Sequence, residues 1–453
     1  MGQAIGIDFG TTNTIVSYKW HGRLRTFRSF DVGIDEIFIP NLICFETRDK
    51  YFIGERAIAR QLCFPDPCVA NFSSKLDDKD FFYKVKAVNG DEFKLTPRMA
   101  VKLFLSKIII VINEFLRREG VIDRVVIAVP PTFKPIEIDS IKKVASNLSN
   151  ALNLKVRVVF APIAEAVAAM EEDRENVNKV LIYHLDDATF DVSLIQRDSE
   201  RNKFKHVLPA DGDKNLGGNL FTEMLAEKLL TWANEEYGTE FKMDYFDRES
   251  HHMIHTIRQE ANRIKEELSD TEEEDTAFSF YTSKDNLEEV KFSVTRKEFE
   301  KLIKKKVLET VNKTYKMILS PQAQVIGGID KIVLVGSSSN IPLIKNLLSE
   351  KLNREIKCSD EVSTLASRGA AILAQDIKRL DDIDQLDDIE QVTGFKIYTY
   401  LAEIDRQRTT IDAQQKSIQE LQKLVKDLTE RLSAIEEKIN EPKTTRLDQI
   451  TIF

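Results

Sequence analysis

The chain has 453 residues, of which 42% are hydrophobic and 31% are charged, and its formal net charge is −9. This composition is typical of a globular protein with a polar appendage, and the length exceeds what one hydrophobic core can hold. The acidic balance argues against nucleic acid or an anionic membrane as a partner. No apolar run is long enough for a membrane helix, and because the first strand begins at the N-terminus we expect no signal peptide.

The four cysteines of this long chain indicate a reducing compartment, so we expect a cytoplasmic protein. Cys63 and Cys68 lie close together in the segment CFPDPC. Two ligands without a second pair do not make a metal site, and we expect ordinary packing of these side chains.

The apolar pattern changes its period repeatedly along the chain. Residues 4–16 and 180–194 each predict a β-hairpin, because a tight turn separates two apolar runs. The remaining predicted elements are helices over 98–119, 136–152, 163–172, 219–236 and 250–269, and strands over 124–129, 155–160 and within 276–294. This alternation indicates sheets between layers of helices, in two duplicated halves, the second running from Lys179 to about Gln375. A ligand is expected in the crevice between the halves.

The turn of the first hairpin is suited to a phosphate group. Gly10 lets the backbone approach closely, while Thr11, Thr12 and Asn13 offer hydroxyl, amide and main-chain donors. Asp8, at the end of the preceding strand, is placed to hold a magnesium ion through water. We therefore expect this hairpin to hold half of a phosphate clamp.

The turn of the second hairpin reads Asp186-Asp187-Ala188. Two carboxylates at the place where phosphate oxygens would lie are repulsive unless a cation intervenes. The second half of the clamp is therefore expected to be damaged.

The composition changes after Gln375. Residues 377–396 contain the acidic repeat LDDIDQ-LDDIEQ and are predicted to be a linker. Residues 397–441 have a seven-residue apolar period, which predicts a coiled coil. Residues 442–453 are predicted to be a tail that begins at Pro442. The apolar positions of this period are Ile397, Ile404, Ile411, Ile418, Val425, Leu432 and Ile439, with Tyr400, Leu421, Leu428 and Ile435 three residues after four of them.

Two glutamines, Gln407 and Gln414, interrupt this seam and are expected to set its register. We expect a parallel homo-oligomer that also presents the coiled coil to a protein partner. The alternative is a single amphipathic helix packed on the preceding domain, which a period sustained over six repeats disfavours.

Six sequence blocks give the chain a more specific resemblance. In order they read GIDFGTTNT (6–14), VVIAVPPTF (125–133), ATFDVSL (188–194), GDKNLGG (212–218), IVLVGSSSNIPLI (332–344) and SRGAAILA (367–374). Together they resemble the ATPase domain of the seventy-kilodalton heat-shock chaperone family, within the actin-like ATPase superfamily. The resemblance covers residues 1–376. It implies an α/β fold of two actin-like lobes, followed here by the coiled coil, and ATP or ADP with Mg²⁺ as ligands.

The resemblance also assigns roles to individual residues. Lys75 is the best positional match for the lysine that reaches the γ-phosphate, although an ordinary surface lysine is the alternative. Asp191 matches a catalytic aspartate and, with Asp8, a magnesium ligand. The remaining nucleotide-binding positions implied by the family blocks are Gly10, Thr11, Thr12, Asn13, Thr189, Gly217, Gly218, Lys265, Ser269, Gly336 and Ser338.

Several positions depart from the family pattern. Ala161 replaces a glutamate that positions the magnesium shell, and His184 replaces an aspartate. Glu165 lies one helical turn after Ala161 and is expected to point elsewhere. On the adenosine side, the substitutions are Asn262, Glu266, Ser337 and Asn340. Because phosphoryl transfer depends on positioning and on cations, these changes predict weak ATP hydrolysis.

Three functions remain open at this point. The first is a chaperone-family protein with weak or lost ATPase activity that acts as an oligomeric scaffold. The second is an active but slow chaperone ATPase, and the third is an actin-like filament-forming protein. No run of short strands that would predict the family's peptide-binding domain follows residue 376, which favours the first.

Overall fold

The structure, a computed structural model, describes residues 2–28, 37–172, 177–198, 203–208, 210–243, 251–283, 286–356 and 362–375. These residues form two lobes, each built on its own sheet and its own large hydrophobic core. The predicted linker, coiled coil and tail lie outside the described residues. Among the described helices, none is long and apolar enough to cross a membrane.

The first lobe is built on a sheet in which β1 lies at the centre. Its elements are β1 (Gln3–Phe9), β2 (Asn13–Trp20), β3 (Arg23–Thr26), β4 (Ile39–Pro40), β5 (Leu42–Phe45), β6 (Tyr51–Ile53), α1 (Glu55–Gln61), β7 (Cys68–Ala70), β8 (Tyr83–Lys86), β9 (Glu92–Leu95), α2 (Pro97–Leu116), β10 (Ile122–Val129), α3 (Pro135–Leu152) and β11 (Lys155–Phe160). The strand order is β11-β10-β1-β2-β3, with β4 beside β2. β1 runs parallel to β10 and antiparallel to β2. Its largely buried, apolar sequence is what a strand covered on both faces requires.

The second lobe repeats this arrangement. After the connecting helix α4 (Ala161–Glu172), its elements are β12 (Lys179–Leu185), β13 (Phe190–Asp198), β14 (Lys203–His206), β15 (Asp211–Asp213), α5 (Gly218–Tyr237), α6 (His251–Glu267), β16 (Glu273–Ser283), β17 (Asn286–Thr295), α7 (Arg296–Ile318), α8 (Pro321–Val325), β18 (Lys331–Val335), α9 (Pro342–Leu352) and α10 (Leu365–Gln375). The strand order is β14-β13-β12-β18, with β15 beside β13. β12 is antiparallel to β13 and parallel to β18, as β1 is to β2 and β10. This shared pattern matches the predicted duplication and a two-lobed actin-like fold.

Two helices connect the lobes by packing on the opposite sheet. α4 follows the first sheet, yet its alanines pack with buried residues of β12 and β18. α10 follows the second sheet, yet it packs on β1 and β2 of the first sheet, and the hydroxyl of Ser367 lies 2.7 Å from that of Ser17 on β2. A Cβ atom on Gly369 of α10 would lie 1.7 Å from the carbonyl oxygen of Ala164 on α4. The close crossing of these helices therefore requires a glycine.

A small sheet of the first lobe corrects the expectation for the cysteines. Its strand order is β6-β5-β7, and Cys44 of β5 lies directly opposite Cys68 of β7. Cys44 and Cys68 form a disulfide. The expectation that Cys68 is an unbonded side chain with ordinary packing is therefore wrong. Cys63 is free and exposed. Sequence spacing missed this pair because partners across a sheet are distant in the chain.

Candidate functional site

Hydrogen bonds from Asn41 and Ser73 hold the backbone of the turn between β1 and β2. The backbone amide of Asn41 donates to the carbonyl of Thr12 at 2.8 Å, and its side-chain amide donates to the carbonyl of Gly10 at 2.9 Å. The hydroxyl of Ser73 donates to the carbonyl of Thr11 at 2.9 Å. Because these three carbonyls already accept hydrogen bonds, the turn is suited to present donors to an anionic ligand, as its sequence predicts.

The N-terminus of α5 is hydrogen-bonded to the turn between β12 and β13. The amide of Asp186 donates to the carbonyl of Thr189 at 3.0 Å and closes the turn. The first amides of α5 then donate back, Gly218 to the carbonyl of Asp186 at 2.9 Å and Asn219 to that of Asp187 at 2.7 Å. The predicted residues Thr189 and Gly218 are therefore brought together at this turn.

Close backbone packing explains the glycines around the second turn. A Cβ atom on Gly218 would lie 2.1 Å from the hydroxyl oxygen of Ser338, and one on Gly217 would lie 2.5 Å from the carbonyl oxygen of Asp187. Gly336 has a φ of 87° and lies against the carbonyl of Leu185. These predicted positions form one contiguous surface with the second hairpin.

The carboxylates of the second turn make local contacts and stay partly exposed. Lys265 is only 4% exposed, and its Nζ lies 3.9 Å from Asp187 Oδ1. The hydroxyl of Ser337 lies 3.4 Å from Asp186 Oδ1 and 3.5 Å from Asp187 Oδ1. Burial lowers the pKa of Lys265 against the opposing effect of Asp187. Burial and the charge of Asp186 raise the pKa of Asp187.

Glu165 lies in the cleft, and the expectation that it points elsewhere is wrong. Its side chain is fully buried on α4, and its Oε1 is 3.0 Å from Nδ1 of His184 on β12. Neither atom has an aligned hydrogen-bond partner among the described residues, so the contact is an ion pair when the imidazole is protonated. The face of α4 that carries Glu165 packs toward the second sheet, which turns the carboxylate to His184. Burial opposes the charge of His184, but Glu165, Asp191 and Asp186 raise its pKa well above 6.5.

Asp8 and Asp191 complete a set that we call the charge cluster: Asp8, Glu165, His184, Asp186 and Asp191. Asp191 is 2% exposed, lies opposite His184 in the strand register, and its Oδ1 has no hydrogen-bond partner among the described residues. Burial and Glu165 raise the pKa of Asp8 to about 7. Burial, partly offset by His184, also raises the pKa of Asp191 to about 7. The cluster thus couples the first lobe to the second.

The residues present fit a magnesium nucleotide only in part. The first turn and the surface around Gly218 and Lys265 offer suitable donors, but the second turn carries carboxylates at the place that the resemblance assigns to phosphates. Within the described part of the chain, no group of three or more His, Cys, Asp or Glu residues is arranged to hold a metal ion. The charge cluster instead contains an internal ion pair, so its donor set does not match that of the family's magnesium shell.

Two predicted residues stand apart from the cluster in the described contacts. Lys75 is exposed on the short 3₁₀ turn Ser73–Lys75, beside the first hairpin, and its Nζ lies 5.8 Å from the ring centre of Phe81. Ser269 follows α6, and its carbonyl accepts a hydrogen bond from Arg296 at 3.4 Å. Their roles in the site stay predictions.

Sequence reasoning missed Asn41 and Ser73, because a side chain that binds a distant backbone carbonyl has no local motif. It also missed the contacts of Ser337 and misplaced Glu165. The signal for Glu165 was available: it is the one charged residue in the alanine-rich segment APIAEAVAAM. A carboxylate on such a buried helix face requires a partner.

The sequence of the chain also matches the model of a known protein family. The family model described as "Hsp70 protein" matches residues 4–433, which is nearly the whole chain. The members of that family are ATP-binding chaperones of the actin-like ATPase superfamily and generally bind ATP or ADP with Mg²⁺. The two lobes, the paired hairpins and the extent of the match agree. The chain therefore belongs to the Hsp70 family.

Proposed function

We propose that this chain is a divergent Hsp70-family protein in which ATP hydrolysis is weak or lost, and that it acts as an oligomeric scaffold. Nucleotide and Mg²⁺ would bind weakly or not at all. The observation that carries this proposal is the turn Asp186–Asp187, whose carboxylates lie against Ser337 and Lys265.

The second turn opposes phosphate binding by charge. Two like charges 4 Å apart near a protein surface repel by about 4 kcal/mol, which corresponds to a loss of roughly three orders of magnitude in affinity. Asp187 also lies at ion-pair distance from Lys265, the one lysine of this surface that the family resemblance assigns to the ligand. A nucleotide would have to displace that contact.

The charge cluster opposes hydrolysis in a second way. Phosphoryl transfer relies on positioned cations that stabilise the charge developing on the phosphoryl group. Glu165 is here committed to His184, and Ala161 supplies no carboxylate at the family's position. Losing such electrostatic support costs several kcal/mol of transition-state stabilisation.

One observation favours the alternative of a slow but active ATPase. The first turn is fully braced by Asn41 and Ser73, which is the arrangement that a phosphate-binding turn needs. The surface of Gly218, Lys265 and Ser338 is also intact. Weak nucleotide binding with slow turnover would be consistent with these features.

Steady-state hydrolysis tests the proposed loss of activity. We expect the purified chain to turn over ATP far more slowly than intact family members, and the double substitution Asp186→Gly, Asp187→Gly to raise the rate by removing the repulsion. Asp49→Gly, in an exposed turn between β5 and β6, is the matched control and should change nothing. Turnover at the usual family rate that Asp8→Ala abolishes would contradict the proposal.

The scaffold part of the proposal rests on the seven-residue period of residues 397–441. Burying each Ile, Val or Leu of the seam is worth about 1.5–3 kcal/mol, which over six repeats offsets the cost of association. The result would be a parallel dimer or trimer that binds a protein partner.

Light scattering tests this oligomer directly. The double substitution Ile418→Asp, Val425→Asp should give a monomer while the lobes stay folded. Gln419→Asp with Ser433→Asp adds the same charge at outer positions of the repeat and should leave the oligomer intact. A wild-type chain that is monomeric at micromolar concentration would refute the scaffold and support the single-helix alternative.

A further inference from the structure

Three cysteines of the first lobe lie outside the charge cluster and form a group of their own. Cys44 is fully buried on β5 and is bonded to Cys68 on β7. Cys68 is the less buried of the two. Cys63 lies in the connection between α1 and β7, and it is free and exposed.

The connection between α1 and β7 folds over the disulfide. Sγ of Cys68 lies 3.3 Å from the carbonyl oxygen of Phe64, and Sγ of Cys44 lies 4.0 Å from the same oxygen. Phe64 directly follows Cys63, so the free thiol is carried by the segment that contacts both bonded sulfurs. The amides of Cys63 and Phe64 both donate to the carbonyl of Arg60, which anchors this segment to the end of α1.

We propose that Cys44, Cys63 and Cys68 form a thiol–disulfide exchange site. The Cys63 thiolate attacks Sγ of Cys68, the Cys63–Cys68 bond forms, and the Cys44–Cys68 bond breaks. The electron pair leaves with Sγ of Cys44, which takes up the proton that Cys63 released. The step is an isomerisation, so it consumes neither an oxidant nor a reductant.

The different burial of Cys44 and Cys68 determines which sulfur of the disulfide Cys63 attacks. Cys68 is a partly exposed residue, whereas Cys44 has no exposed surface, so attack at Cys68 needs the smaller opening of the fold. The structure holds the Cys44–Cys68 isomer, and because a Cys44 thiolate is costly in this apolar setting, Cys44 must be protonated as the bond to Cys68 breaks. The minor Cys63–Cys68 isomer places the disulfide at the surface, where an external thiol of the glutathione type can reduce it.

The exchange of the disulfide can also affect the first hairpin, through β7 and Ser73. The disulfide ties β7 to β5, and β7 ends three residues before Ser73. Ser73 is the residue whose hydroxyl holds the carbonyl of Thr11. Moving the bond to Cys63 removes the covalent tie that positions β7 next to this contact.

Trapping variants test which sulfurs can meet. In full-length chains that also carry Cys358→Ser, the Cys44→Ser variant treated with oxidised glutathione should contain a Cys63–Cys68 disulfide, mapped by mass spectrometry after alkylation of free thiols. The Cys68→Ser variant is the matched control and should contain no Cys44–Cys63 disulfide. A Cys44→Ser chain with an unchanged thermal unfolding curve but without the Cys63–Cys68 bond would overturn the proposal.

Reduction kinetics provide a readout that needs no change in the bonded pair. With reduced glutathione, the Cys44–Cys68 disulfide should be lost about tenfold more slowly in Cys63→Ser than in the parent chain, because the surface isomer can no longer form. Equal rates, or a parent chain in which Cys44 and Cys68 are both free thiols after air oxidation, would each overturn the proposal.

Discussion

The ion pair between His184 and Glu165 should make a measurable contribution to stability. Two unit charges at their separation of 3.0 Å interact by about 5.5 kcal/mol at an effective dielectric constant of 20. The imidazole is 18% exposed, so solvent screens part of this energy. We expect a coupling free energy of about 2–3 kcal/mol.

A double-mutant cycle measures this coupling. Glu165→Gln, His184→Gln and the double variant are unfolded in urea at pH 6.5, and their free energies of unfolding are compared with that of the parent chain. The control cycle uses Asp139 and Lys143 of α3, which are 2.6 Å apart with side chains that are 57% and 56% exposed. Despite its shorter distance, this exposed pair should couple by at most about 0.5 kcal/mol.

The coupling should depend on pH in a defined direction. The folded pKa of His184 lies well above 6.5 because of Glu165 and the neighbouring carboxylates. A raised histidine pKa contributes stability that is complete below 6.5 and is lost as the pH rises through the folded value. A coupling below about 0.5 kcal/mol at pH 6.5, or one that grows as the pH is raised, would refute the assignment of this contact as an ion pair.

Three further outcomes are expected from other parts of the fold. Gly369→Val should destabilise the chain by about 3 kcal/mol or more in thermal unfolding, because its Cβ would meet the carbonyl of Ala164 at 1.7 Å; a change below about 1 kcal/mol would contradict the close helix crossing. His206 contacts the ring of Phe160 and has a pKa lowered to about 4 by burial, so acidification from pH 6.5 to 4 should destabilise the parent chain by up to about 3 kcal/mol more than His206→Phe; parallel pH profiles would exclude this role. Thr295→Ala should cost about 1 kcal/mol, because Thr295 forms a capping box with Glu298 at the start of α7, whereas Thr295→Ser should retain the cap.

The periodic elements of the fold could be predicted closely from sequence. The strand predicted over 155–160 is observed as Lys155–Phe160, and the helix predicted over 98–119 is observed as Pro97–Leu116. The second half opens with a strand at Lys179, where the sequence predicts it. Long apolar stripes carry this information locally, since each residue's face follows from its position in the repeat.

The small sheets of the first lobe could not be predicted in the same way. Strands such as Leu42–Phe45, Tyr51–Ile53 and Cys68–Ala70 have only three or four residues, which is too short for a period to be recognised. Their pairing, including the disulfide, depends on contacts between residues far apart in the chain. Sequence alone therefore left this region without assigned elements.

Sequence reasoning named residues near the two turns, but it did not predict the contacts that their side chains make. Gly10 and Thr189 lie in the two turns, and Gly218 of α5 and Lys265 of α6 lie beside the second turn, while their roles in ligand binding stay predictions. The direction of Glu165 was not predictable from its place in the segment, because a helix face is defined only by the surface against which it packs. The ion pair between Glu165 and His184 therefore could be recognised only in the folded chain.

A nucleotide titration with and without magnesium tests the central claim most directly. We expect ATP and ADP to bind the parent chain weakly, with an affinity that Mg²⁺ changes little. The double substitution Asp186→Gly, Asp187→Gly should strengthen binding at least about tenfold, equivalent to 1.4 kcal/mol, while Asp49→Gly should not. Tight binding to the parent chain that requires Mg²⁺ and is unaffected by these glycines would contradict the claim.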